Sequence, residues 1–272
     1  MPGIDEPTDA AMTNHDPHDL QPVIDALVRS RRTPDAASAA EHAPALRNAD
    51  DAYAVQAGVA QALGWFDASA RHWKSGGPSR AAVLTHAPLP PAGVWRSPAS
   101  TGHWPFRQRG IEAEVALRLA RDVDGAVAAA LTDDAARELI DAMTVSIEVV
   151  DSRWREGLDA PALCKLADLQ LHGALVLGDW VPFDAGRDWS AQTCRVQIGD
   201  TPVRDFRASH SLADPCFVLP AWLRHATRAG AVVRAGSVVT TGTWCGLLHA
   251  RPGDTVIARF DGIGEARVSF AR

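Results

Sequence analysis

Apolar residues recur at helical spacing near the start of the chain and as short runs of strand character beyond residue 81. Leu20, Val23, Ile24, Leu27 and Val28 share one face of a 3.6-residue period, which predicts a helix ending near Arg31. A second helix is predicted from Asp50 as N-cap, through Tyr53, Val59, Ala60 and Leu63, to a stop at Gly64. Short β-rich runs separated by Pro and Gly then follow at 82–86, 112–119, 145–150, 174–177, 195–198, 238–241, 255–260 and 266–270.

Two more helices are expected among the strands. Thr132 caps one that carries Leu139, Ile140 and Met143. Asp214-Pro215 opens another that passes Trp222 and Leu223 and ends at Gly230, with Pro220 kinking it or delaying its start. The last two runs, joined through Gly262-Ile263-Gly264, read as a hairpin. Residues 1–19 are rich in Asp, Pro and Thr and have little apolar surface to pack, the composition of a mobile tail. The pattern predicts an α+β protein: a tail over 1–19, a helical portion over 20–80 and a β-rich mixed roll or sandwich over 81–272.

A chain of 272 residues with 46% hydrophobic content can bury a sizeable core. Its net charge is −6 and its basic residues are scattered, so a nucleic acid or an anionic membrane finds no basic stripe to bind. No run approaches the ~18 apolar residues of a membrane span, and no signal peptide is recognisable at the start, so a cytoplasmic location is expected. Cys164, Cys194, Cys216 and Cys245 are far apart and form no CxxC pair, which makes buried free thiols the expectation. His15 and His18 fall in the polar tail, and there is no HExxH.

Candidate chemistry begins at Gly110 to Leu117, where Glu112 and Glu114 stand two residues apart in an apolar run. On a strand, side chains two apart share a face. Buried together, like charges need protonation, a basic neighbour or a cation. Glu148, in Ser146-Ile147-Glu148-Val149-Val150, offers a third carboxylate from a second strand. Three such oxygen ligands suit Mg²⁺ or Mn²⁺. Spacing leaves this open against an edge strand whose glutamates face water.

Several runs, in order from about residue 50 to the C-terminus, together resemble the fumarylacetoacetate hydrolase superfamily, especially its 2-keto-4-pentenoate hydratase branch. They include Ala52-Tyr53-Ala54-Val55-Gln56, Trp73-Lys74-Ser75-Gly76, Gly110 to Leu119, Ile147 to Arg153, Leu166-Ala167-Asp168, Gly173 to Gly178, Ala235 to Thr243, and Pro252-Gly253-Asp254. The resemblance implies a β-rich roll with flanking helices, and Mg²⁺ or Mn²⁺ on Glu112, Glu114 and Glu148. It implies a small 2-oxo or 2-hydroxy acid as substrate, and assembly as a homo-oligomer. The chain's two lysines gain roles by the same likeness. Lys74 matches the hydratase lysine and becomes the first candidate for proton transfer, its pKa depressed by a cation and an apolar wall; Lys165, with Asp168 three residues on, resembles the Lys-x-x-Asp pattern of acylpyruvate hydrolases. Thr241, Gly242 and Thr243 match a substrate-gripping turn. Arg153 is a candidate partner for a substrate carboxylate or for Asp151.

There are departures from the family pattern. Trp73-Lys74-Ser75-Gly76-Gly77-Pro78 stands where hydratases have Lys-Ile-Gly-Leu-Thr, and Leu169-Gln170-Leu171-His172 stands where they continue with Asn. The expected activity is metal-dependent hydration of a 2-hydroxydienoate or 2-oxo-enoic acid, as in aromatic catabolism. The alternatives are decarboxylation of a 2-oxo diacid, C–C hydrolysis of an acylpyruvate, and a catalytically silent relative that only binds a small acid.

Overall fold

A computed structural model describes residues 19–272; the predicted tail, with His15 and His18, lies outside the described residues except for Asp19. Both N-terminal helices form. α1 (Gln21–Arg32) carries Pro22 in its first turn and Arg29, Arg31 and Arg32 in its last, where cations oppose the negative end of the helix dipole. After a single turn, α2 (Ala39–His42), α3 (Ala49–Leu63) ends at Gly64 in the left-handed conformation. Its N-cap is Asn48, not Asp50. Asn48 has the extended backbone a cap requires and accepts from Asp51 N, while Asp50 sits inside the first turn. Val23, Leu27, Val55 and Val59 pack with Trp154, Cys164 and Leu166 from later in the chain.

Among the described residues, fourteen strands form two sheets. The strands are β1 (His72–Gly76), β2 (Thr85–Pro88), β3 (Val94–Arg96), β4 (Ala99–Ser100), β5 (Gly110–Leu119), β6 (Ile140–Val150), β7 (His172–Leu177), β8 (Val181–Pro182), β9 (Thr193–Ile198), β10 (Arg204–Arg207), β11 (Val238–Thr240), β12 (Leu248–His249), β13 (Thr255–Phe260) and β14 (Gly264–Ser269). The larger sheet runs β2-β1-β11-β5-β6-β7-β3, with β12 added to β5 and β8 to β6; the smaller runs β10-β9-β13-β14-β4. Ile111, Ala113, Val115 and Leu117 of β5 join Val256, Ala258, Ala266 and Val268 of the smaller sheet in one apolar core. The alternation of β5 therefore turns Glu112 and Glu114 to the opposite face.

Four short helices connect the strands: α4 (Gly125–Ala130), α5 (Asp133–Arg137), α6 (Ala162–Ala167) and α7 (Leu219–Ala226). The helix capped by Thr132 is only α5. Ile140 and Met143 belong to β6, because pairing with β5 along almost the whole of both strands outweighs the helical spacing of those residues. Asp214 caps a 3₁₀ turn over Pro215–Val218, and α7 starts after it with Pro220 in its first turn, where a missing N–H leaves no bond unmade. The closing hairpin forms as expected. β1 lies within the stretch read as helical. It is five residues long, pairs antiparallel with β2 and in parallel with β11, and its residues show no apolar alternation to mark it.

Candidate active site

Strand register assembles the carboxylates. β5 and β6 pair antiparallel with Glu112 directly opposite Glu148 and Glu114 opposite Ser146, so Glu112 neighbours one glutamate across the ladder and another two residues on. One oxygen from each of Glu112, Glu114 and Glu148 lies within 4.8 Å of the others. Glu114 and Glu148 are buried and Glu112 is half-buried.

Lys74 reaches the same pocket by register too. It sits opposite Thr240 of β11, and Thr240 sits opposite Ala116 of β5, so Lys74, Thr240 and Ala116 share the face that carries Glu112 and Glu114. Its Nζ donates to Glu148 Oε1 at 2.5 Å and to the Gln170 carbonyl at 3.1 Å. The Glu114 carboxylate accepts from the Thr240 hydroxyl and from Gly242 N at 3.1 Å. Gly242 has φ +104, which a residue with a side chain rarely adopts, and so its backbone can approach Glu114.

Electrostatics here are frustrated. Burial pushes the Glu112 carboxyl up, and Glu114 and Glu148 add to this, giving about 8; burial and Glu148 push Glu114 to about 7. Burial acts on Glu148 in the same sense, but Lys74 and His172 outweigh it and hold this carboxyl below its ordinary value. Burial alone would lower the Lys74 ammonium; the three glutamates, Glu148 foremost, keep it above the usual lysine range. With no cation present, the Lys74 ammonium is thus raised. One lysine opposes three carboxylates. Glu148 Oε2 is buried without a hydrogen-bond partner. An orphaned oxygen and an all-oxygen donor set both fit a divalent ion.

Gln170 and His172, which sequence reasoning noted only as departures from a family pattern, both serve this pocket. Leu169, Gln170 and Leu171 have φ of 53°, 54° and 61°, three consecutive left-handed residues with side chains. Such a run costs roughly 1–2 kcal/mol per residue, and it turns the Gln170 carbonyl to Lys74 while the Gln170 carboxamide donates to the Thr85 hydroxyl. His172 Nδ1 lies 3.1 Å from Glu148 Oε1. Burial lowers the imidazole pKa, so the neutral ring donates from Nδ1 to the carboxylate. No sequence signal points to either residue, because their roles depend on the left-handed turn.

The cavity around Lys74 measures about 270 Å³. Glu112, Glu114, Gln170, Thr85, Gly242 and Thr243 line it, together with Ser211 and Thr240. Thr241 does not: strand alternation turns it away, and its hydroxyl donates to the Val115 carbonyl at 2.7 Å. Lys165 donates to the Leu158 carbonyl at 3.1 Å and does not line the cavity. Asp168 accepts from Arg153 Nε at 2.7 Å, Arg153 N at 2.9 Å and Arg31 Nη2 at 2.9 Å. Arg153 also stands 3.7 Å from Asp151, so its charge is engaged inside the protein.

A family model described as fumarylacetoacetate (FAA) hydrolase, C-terminal, matches residues 62–271. The chain belongs to this family. It is 25% identical over 165 residues to the 2-keto-4-pentenoate hydratase of Paraburkholderia xenovorans (strain LB400), a match covering 61% of this chain and 60% of that relative. The match thus spans less than two thirds of the relative's length. Among solved structures, the 4-oxalocrotonate decarboxylase of Pseudomonas putida G7, complexed with magnesium and adipate, superposes with a TM-score of 0.79 at 16% identity, over 92% of this chain and 97% of that one. The same enzyme complexed with calcium and acetate gives 0.77 at 17% identity, over 92% and 96%. These likenesses establish the fold, a mixed α+β body with a curled sheet and N-terminal helices. No helix among the described residues is long and apolar enough to cross a membrane.

Proposed function

We propose that the protein is a metal-dependent hydratase that adds water to a 2-hydroxydienoate or 2-oxo-enoic monoacid. The observation that carries this reading is the charge arrangement of the pocket: three glutamate oxygens within 4.8 Å of one another, with Lys74 as the one cation among the described lining residues. Glu112, Glu114 and Glu148 would hold Mg²⁺ or Mn²⁺, which when bound supplies Lewis-acid polarisation of a 2-oxo group.

The chain's own residues do the rest. With two of the three carboxylate charges balanced by the ion, burial weighs more heavily on Lys74, and burial lowers an ammonium towards the range where it can give and take a proton. Lys74 then moves the proton at carbon, its position set by Glu148 and the Gln170 carbonyl. Gly242 and Thr243 form the wall against which the acid's head group lies. Arg153 and Asp168 hold the 151–168 connection behind the pocket, and Lys165 has no part in the proton transfer.

Decarboxylation of a 2-oxo diacid is the second reading, favoured by likeness of fold to a decarboxylase captured with adipate. A diacid's second carboxylate would meet Thr85, Gln170 and Ser211 and no second cation among the described lining residues, which supports the monoacid. The reading carries with it the expectation of a cytoplasmic homo-oligomer, which light scattering on the purified protein checks for size. Incubation with Mg²⁺ and either 2-hydroxydienoates or 2-oxo diacids, followed by ultraviolet loss and CO₂ release, tests the activity. Hydrated product from the monoacid supports the hydratase; CO₂ without hydrated product contradicts it.

A further inference from the structure

The segment 168–173, which gives Gln170 and His172 to the glutamate pocket, gives Gly173 to a separate cleft of about 390 Å³ that shares no lining residue with it. Arg31, Arg107, Arg153 and Asp151 line this cleft, with Trp104 and Phe106 as its apolar walls.

Its carboxylates are already committed. Asp168, behind the cleft, takes both Arg31 and Arg153, and Asp151 Oδ1 accepts from Arg107 N at 3.1 Å and Gln108 N at 2.6 Å. Arg107 is spent on backbone: its Nη2 donates to the carbonyls of Ser30, Thr33 and Asp35 at 2.8, 3.1 and 3.0 Å, pinning the chain that leaves α1. The other two arginines keep donors in hand. Arg31 Nε is buried with no acceptor, and Arg153 Nη1 comes only within 3.7 Å of Asp151, too far for a hydrogen bond. Burial, and then the charge of Arg153, push the Arg31 guanidinium down to about 9, as expected of a cation short of a counter-ion. Three guanidinium groups face two carboxylates, a surplus of one positive charge.

We propose that this cleft is a binding site for a small monocarboxylate with a flat apolar body, its carboxylate on Arg31 and Arg153 and its body against Trp104 and Phe106. One anionic charge balances the surplus. A planar carboxylate matches the fork of a guanidinium, and an aromatic ring matches the indole and phenyl walls. The volume falls within the range of small-molecule sites. The site stands independently of the reaction proposed for the glutamate pocket.

Benzoate is the probe. Calorimetric titration into the full chain, once in EDTA and once with excess Mg²⁺ and oxalate, is expected to show one saturable site per chain with the same affinity within about twofold. Benzamide, a neutral isostere, is expected to give no saturable heat. Trp104→Ala and Arg31→Met should each weaken benzoate about tenfold or more. Trp104 is only half-buried, so the first variant serves if loss of Arg31 unfolds the protein. Absence of saturable heat, displacement by Mg²⁺ and oxalate, equal binding of benzamide, or unchanged affinity in a folded Trp104→Ala overturns the proposal.

Discussion

Lys74 Nζ stands 2.5 Å from Glu148 Oε1, and this pair ties β1, at the start of the sheet-forming chain, to the C-terminal part of β6. Removing the lysine leaves Glu148 with only His172 as a basic neighbour in contact with it. Lys74→Met is expected to lower kcat on a 2-hydroxydienoate about 10²–10⁴-fold, the usual contribution of a general acid or base. Mg²⁺ binding should persist and tighten, because the ammonium no longer competes for the carboxylates. Turnover and calorimetric titration of Mg²⁺ check the two halves.

Glu112→Gln separates function from stability. Crowding and burial hold this carboxyl at about 8, so the neutral amide relieves repulsion in the metal-free protein. The thermal midpoint measured in EDTA at pH 8 should rise, while the further rise that Mg²⁺ gives the unaltered protein should vanish.

The same carboxyls set a pH dependence with a definite sign. Glu112 at about 8 and Glu114 at about 7 lie above the ordinary 4.5, so the folded metal-free protein holds protons that the unfolded chain releases. Their contribution to stability is complete below pH 4.5 and is lost as pH rises through 7 to 8. His86 and His225, held by burial to about 3 and about 4, act in the opposite direction below pH 6.5. The difference between thermal midpoints with Mg²⁺ and with EDTA cancels the histidine effect. That difference should grow steadily from pH 5 to pH 8.

The β5–β6 pair and the carboxylate trio were legible in the sequence for one reason: each runs on a period of two, whereas the short strands β3, β4, β8, β10 and β12 left no such pattern. Apolar residues at 111, 113, 115 and 117 fix which face of β5 is core, and that choice sends Glu112 and Glu114 together to the other. β1 was not legible, because its own residues, His72-Trp73-Lys74-Ser75-Gly76, do not alternate. Gln170 and His172 escaped for a different reason. A left-handed run of three residues with side chains contradicts local preference, and only the surrounding fold holds it. Thr241 and Lys165 show the limit of a motif: spacing carried each to the right segment, and strand alternation in one case and the course of α6 in the other decided where the side chain went.

Asp168→Asn removes a buried charge that Arg31 and Arg153 share. Uncompensated, two buried guanidinium groups should cost about 3–5 kcal/mol, the range for breaking a buried ion pair from one side. Chemical denaturation reads this directly.

Lys165→Met touches one backbone carbonyl bond. Turnover should stay within about twofold and stability within about 1 kcal/mol, as for a single partly buried hydrogen bond. A loss of kcat comparable to that of Lys74→Met would give Lys165 a part in the proton transfer and contradict its assignment to Lys74 alone.

Crystals grown with Mn²⁺ and oxalate and measured near the manganese absorption edge test the central claim most directly. The account predicts a single anomalous peak among the oxygens of Glu112, Glu114 and Glu148, at roughly 2.0–2.2 Å from each. A map with no peak among those three carboxylates would contradict it.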